Sequence, residues 1–281
     1  MKNIIGKIAE ESKVFGLLLI GLLTFSLSSS AQQDLPFQSG EQLNYTIRYK
    51  YGIVMAKAAT AQYSVKDEIF RGKPAVKTVL TCRTTGVVDA AFKMRDTLIA
   101  YSTTPDLTPI FHRKYLHEGK ANYIEDMDYK KFSTSFTSVQ SKKYVAGEVR
   151  RDTLLTTDGL GFDMLNIFIF ARTLDYSNLN IGDSFKFASL VGKDIVPVNL
   201  RYTGQAILDK GSIKYKTLRF ELDIVDSAFT ESKTAMEIWV SDDKNRIPIK
   251  LRAKLKIGAA EAEISSTKNL KYPFDSKIDI K

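Results

Sequence analysis

IPIKLRAKLKI, residues 247–257, alternates without a break. Ile247, Ile249, Leu251, Ala253, Leu255 and Ile257 lie on one side, and Lys250, Arg252, Lys254 and Lys256 on the other. Side chains on a strand point to its two faces in turn, so this segment buries one face and wets the other. Antiparallel sheets carry that pattern, whereas parallel sheets are covered on both sides. The same period recurs outward from this stretch. Leu43, Tyr45, Ile47, Tyr49 and Tyr51 share a face, as do Val196, Val198, Leu200 and Tyr202, and Leu218, Phe220, Leu222 and Ile224. Further strands fit near 54–66, 74–85, 96–103, 108–118, 121–130, 133–146, 184–191, 235–241 and 260–272. Turn signals such as Arg71-Gly72-Lys73-Pro74, Glu118-Gly119-Lys120 and Lys210-Gly211-Ser212 separate them. The prediction is a mainly β fold: a single large, highly curved antiparallel sheet or a partly closed barrel.

One segment has a different period. In LGFDMLNIFIFARTL, 160–174, Leu160, Met164, Leu165, Phe168 and Ala171 recur at helical spacing, with Thr157-Asp158-Gly159 ahead of them as a cap. Ile167, Ile169 and Phe170 add apolar groups off that stripe, so the helix should be buried on most sides, plugging the concave face of the sheet. A weaker helical turn is expected at 87–94. Residues 32–273 read as one β-rich domain, and 274–281 as a loose tail.

The amino terminus reads as an export signal. Lys2, Lys7 and Lys13 precede an apolar run from Val14 to Leu27, and Ser29-Ser30-Ala31 supplies small residues for cleavage after Ala31. Gln32 follows, not the cysteine of a lipoprotein. No other run approaches the 18 apolar residues of a membrane helix. The expected location is the periplasm or the exterior. Cleavage removes three lysines and two glutamates from 41 Lys+Arg and 32 Asp+Glu, taking the net charge from +9 to +8. In that compartment the anionic partners are membrane surfaces and acidic glycans; nucleic acid is not expected.

Composition argues against several chemistries. The lone Cys82 closes no internal bridge and suits a buried core position. His112 and His117 are five apart, hence on opposite faces of one strand, and share no metal. No Gly-x-Ser-x-Gly elbow is present. No metal, cofactor or enzymatic activity is expected, although two carboxylates converging from distant strands would suffice for glycosidase chemistry. Asp242-Asp243-Lys244-Asn245-Arg246 could ligate calcium but suits a tight turn better. Asp96-Thr97-Leu98, Asp152-Thr153-Leu154 and Asp226-Ser227-Ala228 match a short O-glycan acceptor pattern that chance produces often.

The candidate binding residues are Tyr45, Tyr49, Arg95 and Trp239. The tyrosines belong to an aromatic set that either lines a concavity or packs a core. Arg95 could anchor a charged head or pair structurally. Trp239 could form a stacking platform or a core contact. Lys250, Arg252, Lys254 and Lys256 form a basic stripe, suited to anionic headgroups or to simple solvation.

Four stretches resemble an exported bacterial family, domain of unknown function 3108. They are PFQSGEQLNYTIRYKYGIVMAKAATAQYSV at 36–65, FKMRDTLIAY at 92–101, GFDMLNIFIFARTLDY at 161–176 and MEIWVSDDKNRIPIKLRAKLKIGAAEAEI at 236–264. The resemblance implies an envelope-localised, mainly β single domain and supplies no activity. The expected function is a non-catalytic binding or carrier module for a lipid-like or other amphiphilic envelope ligand, lipid or glycan. The alternative is a structural or assembly factor for an outer-membrane or surface-polysaccharide complex, in contact with the membrane surface.

Overall fold

A computed structural model describes residues 34–279 apart from 53, 225–234 and 256–257. The signal segment 1–31, Lys256 and Asp226-Ser227-Ala228 lie outside the described residues. The first meander comprises β1 (Gln42–Tyr51), β2 (Val54–Phe70), β3 (Lys73–Thr84), helix α1 (Gly86–Ala91), β4 (Arg95–Thr103), β5 (Pro109–Glu118), β6 (Ala121–Phe132), β7 (Phe136–Val145) and β8 (Glu148–Asp158). Then come β9 (Gly161–Phe162), helix α2 (Met164–Ala171), β10 (Ser184–Val191), β11 (Asp194–Asp209), β12 (Ile213–Ile224), β13 (Met236–Ser241), β14 (Pro248–Lys254), β15 (Ala259–Lys268) and β16 (Lys277–Asp279).

Each strand of β1 to β8 pairs with its predecessor, and so does each of β10 to β15; β1 pairs with β15. The sheet therefore runs from β8 around to β9, two strands that follow each other in the chain. It is one nearly closed barrel of 15 strands. All the ladders are antiparallel except the short β9–β10 pair. Eight strands close over a lumen that side chains can fill, whereas 16 or more leave a channel. A ring this wide needs a plug.

Helix α2 is the plug. Leu165, Ile167 and Ile169 have no exposed surface, and Met164, Phe168 and Ala171 are buried too. Burying a side chain of this size stabilises the fold by roughly 1.5–3 kcal/mol relative to exposure. At eight residues the helix would be marginal alone in water, so packing holds it. Tyr63 and Phe168 have ring centroids 4.3 Å apart, and Phe162 and Phe170 5.0 Å. The helix begins at Asp163, not at Thr157-Asp158-Gly159, because the Asp163 carboxylate accepts from the amides of Leu165 and Asn166.

It ends where Arg172 turns into a buried ion pair. The Arg172 guanidinium donates to both carboxylate oxygens of Glu41, at 2.5 and 3.0 Å, and to the carbonyls of Pro36 at 3.1 Å and Asn245 at 2.9 Å. Both side chains are 1% exposed or less. Three of the four motif stretches, at 36–65, 161–176 and 236–264, thus meet at one guanidinium.

Three elements differ from the sequence reading. β8, EVRRDTLLTTD, shows no apolar alternation because both of its faces carry charged or hydroxyl groups. The helix expected at 160–174 shortens to 164–171 because Gly161-Phe162 pairs with Ala188-Ser189. The tail from 274 is not loose: Lys277–Asp279 pair with Ile213–Tyr215, and Ser276 is buried. β12 extends past the end of β13 and leaves an edge that the tail covers.

Candidate functional site

The named candidates do not converge. Tyr45 is buried in the barrel and donates to the Pro248 carbonyl at 3.0 Å. Tyr49 is half-buried at the core margin. Arg95 points outward, and its guanidinium holds Asp89 of α1 through bonds of 2.6 and 2.9 Å. Its neighbour Asp96 points inward and accepts from the His117 amide. Trp239 is on the outer face, flanked by Arg219 and Lys250 at 5.8 and 5.9 Å from its ring.

Lys250 and Arg252 of the basic stripe are neutralised by glutamates from neighbouring strands. Lys250 sits 2.8 Å from Glu261 and 3.0 Å from Glu263, and Arg252 is 3.4 Å from Glu261 and 3.8 Å from Glu237. Arg219–Glu237 at 2.6 Å and Arg201–Glu221 at 2.8 Å continue the ladder to β11. Opposite charges face each other across strands, which is where such pairs help a sheet. At Lys250 and Arg252 the cationic charge is spent within the protein.

A different set of side chains does converge, at the seam. There the β10–β11 hairpin reaches across to the wall formed by β5 to β8, and the Ser141 hydroxyl donates to the Gly192 carbonyl. Beneath it is a cavity of about 230 Å³. Met127, Met164, Leu190, Val191 and Val196 supply its apolar lining, and His112, Lys114, Tyr123, Glu125, Lys143, Arg151, Lys193 and Asp194 its polar lining.

The registers explain the charge. Lys114 faces Glu125, Glu125 faces Lys143, and Lys143 faces Arg151. Inward-pointing residues at paired positions form a row across four strands. This row has three cations to one carboxylate, a local surplus of positive charge. Arg151 takes up Glu125 at 2.8 Å. Lys143 stands 3.5 Å above the Tyr123 ring. Burial, then the nearby charges of Glu125, Glu118 and Asp96, hold the Tyr123 hydroxyl above its usual range, so it remains a neutral donor.

The cavity is coupled to the cap of α2. His112 lines it and places Nδ1 3.2 Å from the Asp163 carboxylate, within ion-pair distance but without hydrogen-bond geometry. Tyr129 donates to Asp163 at 2.9 Å and accepts from its amide at 2.7 Å. Asn166 also donates to Asp163 and accepts from Ser102. Burial pushes the Asp163 carboxyl up, but the His112 charge and these bonds outweigh it, and the net direction is down. Burial, then the Asp96 and Glu118 charges, push the Cys82 thiol up to about 12. Among the described residues no group of three or more His, Cys, Asp or Glu could hold a metal ion, and no helix is long and apolar enough to cross a membrane.

Of these lining residues His112, Met164 and Val196 were named from sequence, none of them as part of a site, and the cationic row was not singled out. The usable signal was negative: 108–118 and 133–146 lack a continuous apolar face, so in a β-barrel their polar residues must enter the lumen somewhere.

The family model described as "Protein of unknown function (DUF3108)" matches residues 44–265. No curated protein matches the chain. Among solved structures, a beta-barrel-like protein of the domain of unknown function DUF1849 from Brucella abortus is similar in fold. Its TM-score is 0.51 at 8% identity, over 85% of this chain and 99% of that one. A protein from Bacteroides fragilis with a YmcC-like fold matches at TM-score 0.32 and 9% identity, over 83% of this chain and 98% of that one.

Proposed function

We propose that this chain, which belongs to the DUF3108 family, is a non-catalytic binding module of the cell envelope that holds the anionic end of a small amphiphile at the barrel seam. One observation carries the reading. The cavity beside α2 joins an apolar floor to an inner row with three cations and one carboxylate. Apolar walls with a few placed polar groups are what small-molecule sites share. At about 230 Å³ it lies below the roughly 300–1,000 Å³ of drug-sized pockets. The ligand is therefore a short-chain amphiphile, or the head of a longer one whose tail remains outside.

The export pattern at 1–31 supports an envelope location. A structural or assembly role through the basic stripe has less support, because Lys250 and Arg252 are already paired.

Octanoate is the test ligand, titrated calorimetrically into the mature chain. Leu190→Trp fills the cavity and Lys143→Glu reverses a rim charge. Binding to the wild-type protein, weakened in both folded variants, is expected. No binding of octanoate, together with no small molecule released from the purified protein into organic solvent, refutes the proposal. So does binding that neither variant changes. Trp239 lies on the outer face and cannot report on this cavity.

A further inference from the structure

The outward face of the same four strands has a different character. Its central row is Arg113, Asp126, Lys142 and Asp152, paired in register from β5 to β8. Here the charges alternate and cancel. Arg113 grips Asp126 through two bonds of 2.6 Å, and Lys142 sits 3.0 Å from Asp152. The row forms the floor of an open groove of about 610 Å³.

Aromatic surface flanks the row. On one side Phe111 and Tyr101 are paired across β4 and β5, and Phe70 stacks on Tyr101 with centroids 3.9 Å apart and planes 12° from parallel. On the other side are Tyr115, 39% exposed, and Tyr144. Cations fix the rings in place. Arg113 lies 5.5 Å from the Phe111 ring and 5.8 Å from the Tyr115 ring, and Arg71 lies 5.1 Å from the Phe70 ring. Arg71 comes from the β2–β3 turn, where its φ of 51° and that of Gly72, 77°, fold the hairpin back so that the guanidinium reaches Asp128 at 2.9 Å.

We infer that this outward face of β5 to β8 is a binding platform for a neutral oligosaccharide. A sugar ring offers an apolar C–H face and an edge of hydroxyls, and it needs a flat ring to stack on and planar polar groups with bonding capacity to spare. The groove supplies both. An ionised carboxylate accepts at about four positions and an ammonium donates three bonds. Asp126 uses two of its positions on Arg113. The remaining acceptors and donors of the row face hydroxyls that can serve as either. Charge selects against an acidic chain, because each anion would have to displace a carboxylate already paired. This platform and the seam cavity lie on opposite faces of one sheet, and each can fail without the other.

The test is affinity electrophoresis of the mature chain in gels containing dextran, laminarin or glucomannan, with alginate as the acidic comparison. Retardation by at least one neutral polysaccharide is expected, undiminished at high salt, since the recognising charges are compensated. Phe111→Ala and Lys142→Ala should each weaken it about tenfold or more. Tyr115→Ser, at an exposed site where the fold is safe, should weaken it as well, and Val87→Ser, exposed on α1 and lining neither the groove nor the cavity, should leave it unchanged. Absence of retardation by any neutral polysaccharide overturns the inference. Retardation by alginate alone that salt abolishes also overturns it, as does binding that folded variants of the platform do not alter. A photocrosslinker at position 115 that captures a protein instead of a saccharide does the same.

Discussion

Replacing Arg172 by methionine tests what anchors the plug. Met fills much of the same volume, so the main loss is charge and hydrogen bonding. Glu41, with no exposed surface, would keep a carboxylate with no cation beside it. The carbonyls of Pro36 and Asn245 would lose their donor. Removing one partner of a buried pair costs about 3–5 kcal/mol, and the two orphaned carbonyls place this case toward the upper end. For a domain of this size each kcal/mol shifts the midpoint by about 2–4 °C, so the variant should melt roughly 6–20 °C lower. Urea unfolding followed by circular dichroism measures the free energy, with the slope checked for constancy. Glu41→Leu should cost a similar amount. The double variant should cost less than the two losses together by about 2 kcal/mol or more, because neither charge is then left alone. A loss below about 1 kcal/mol in either single variant, or strict additivity in the double, would refute the assignment of Arg172 as the anchor joining helix, β1 approach and β13–β14 turn.

Two further outcomes follow from the interior. The Asp163 carboxyl titrates below its ordinary 3.8 in the folded protein. Its ionised form therefore stabilises the fold above that value, and the contribution is lost as pH falls through the depressed one; Asp163→Asn, which keeps a cap, should flatten the loss of stability below about pH 4 in acid-unfolding curves. With its pKa pushed up to about 12 by burial and then by Asp96 and Glu118, Cys82 should resist a disulfide reagent at pH 8, where only about one thiol in 10⁴ is ionised, and should react at once in urea; rapid stoichiometric labelling of the folded chain would contradict this.

The two faces of β5 to β8 show how one sheet can carry opposite electrostatics. Residue 113 and residue 114 are adjacent in the chain, yet one belongs to the compensated outer row and the other to the cationic inner row. Shifting any of these strands by one residue would exchange the rows. The bulges in the β6–β7 and β7–β8 pairing shift that register locally, at Tyr129/Lys131 and Lys143/Tyr144.

Period-two alternation was enough to read the antiparallel sheet, because a strand with one wet and one dry face records its burial in its own composition. The apolar 160–174 stretch likewise identified a helix buried on most sides, which the structure shortens to 164–171. The separation of five put His112 and His117 on opposite faces, and the structure buries His112 and exposes His117. β8 left no such record, since its charged inward residue Arg151 is matched by Glu125 on β6 and not by an apolar neighbourhood. Joining the strands into one ring belonged to the tertiary structure as well: β1 and β15, more than 200 residues apart, pair and unite the two meanders in a single sheet. The same holds for the paired half of the basic stripe. Lys250 looks like free positive charge along its own strand, and only the register with β15 sets Glu261 and Glu263 beside it. Local pattern fixes which way a side chain points; what it meets there depends on which distant strand the backbone hydrogen bonds bring alongside.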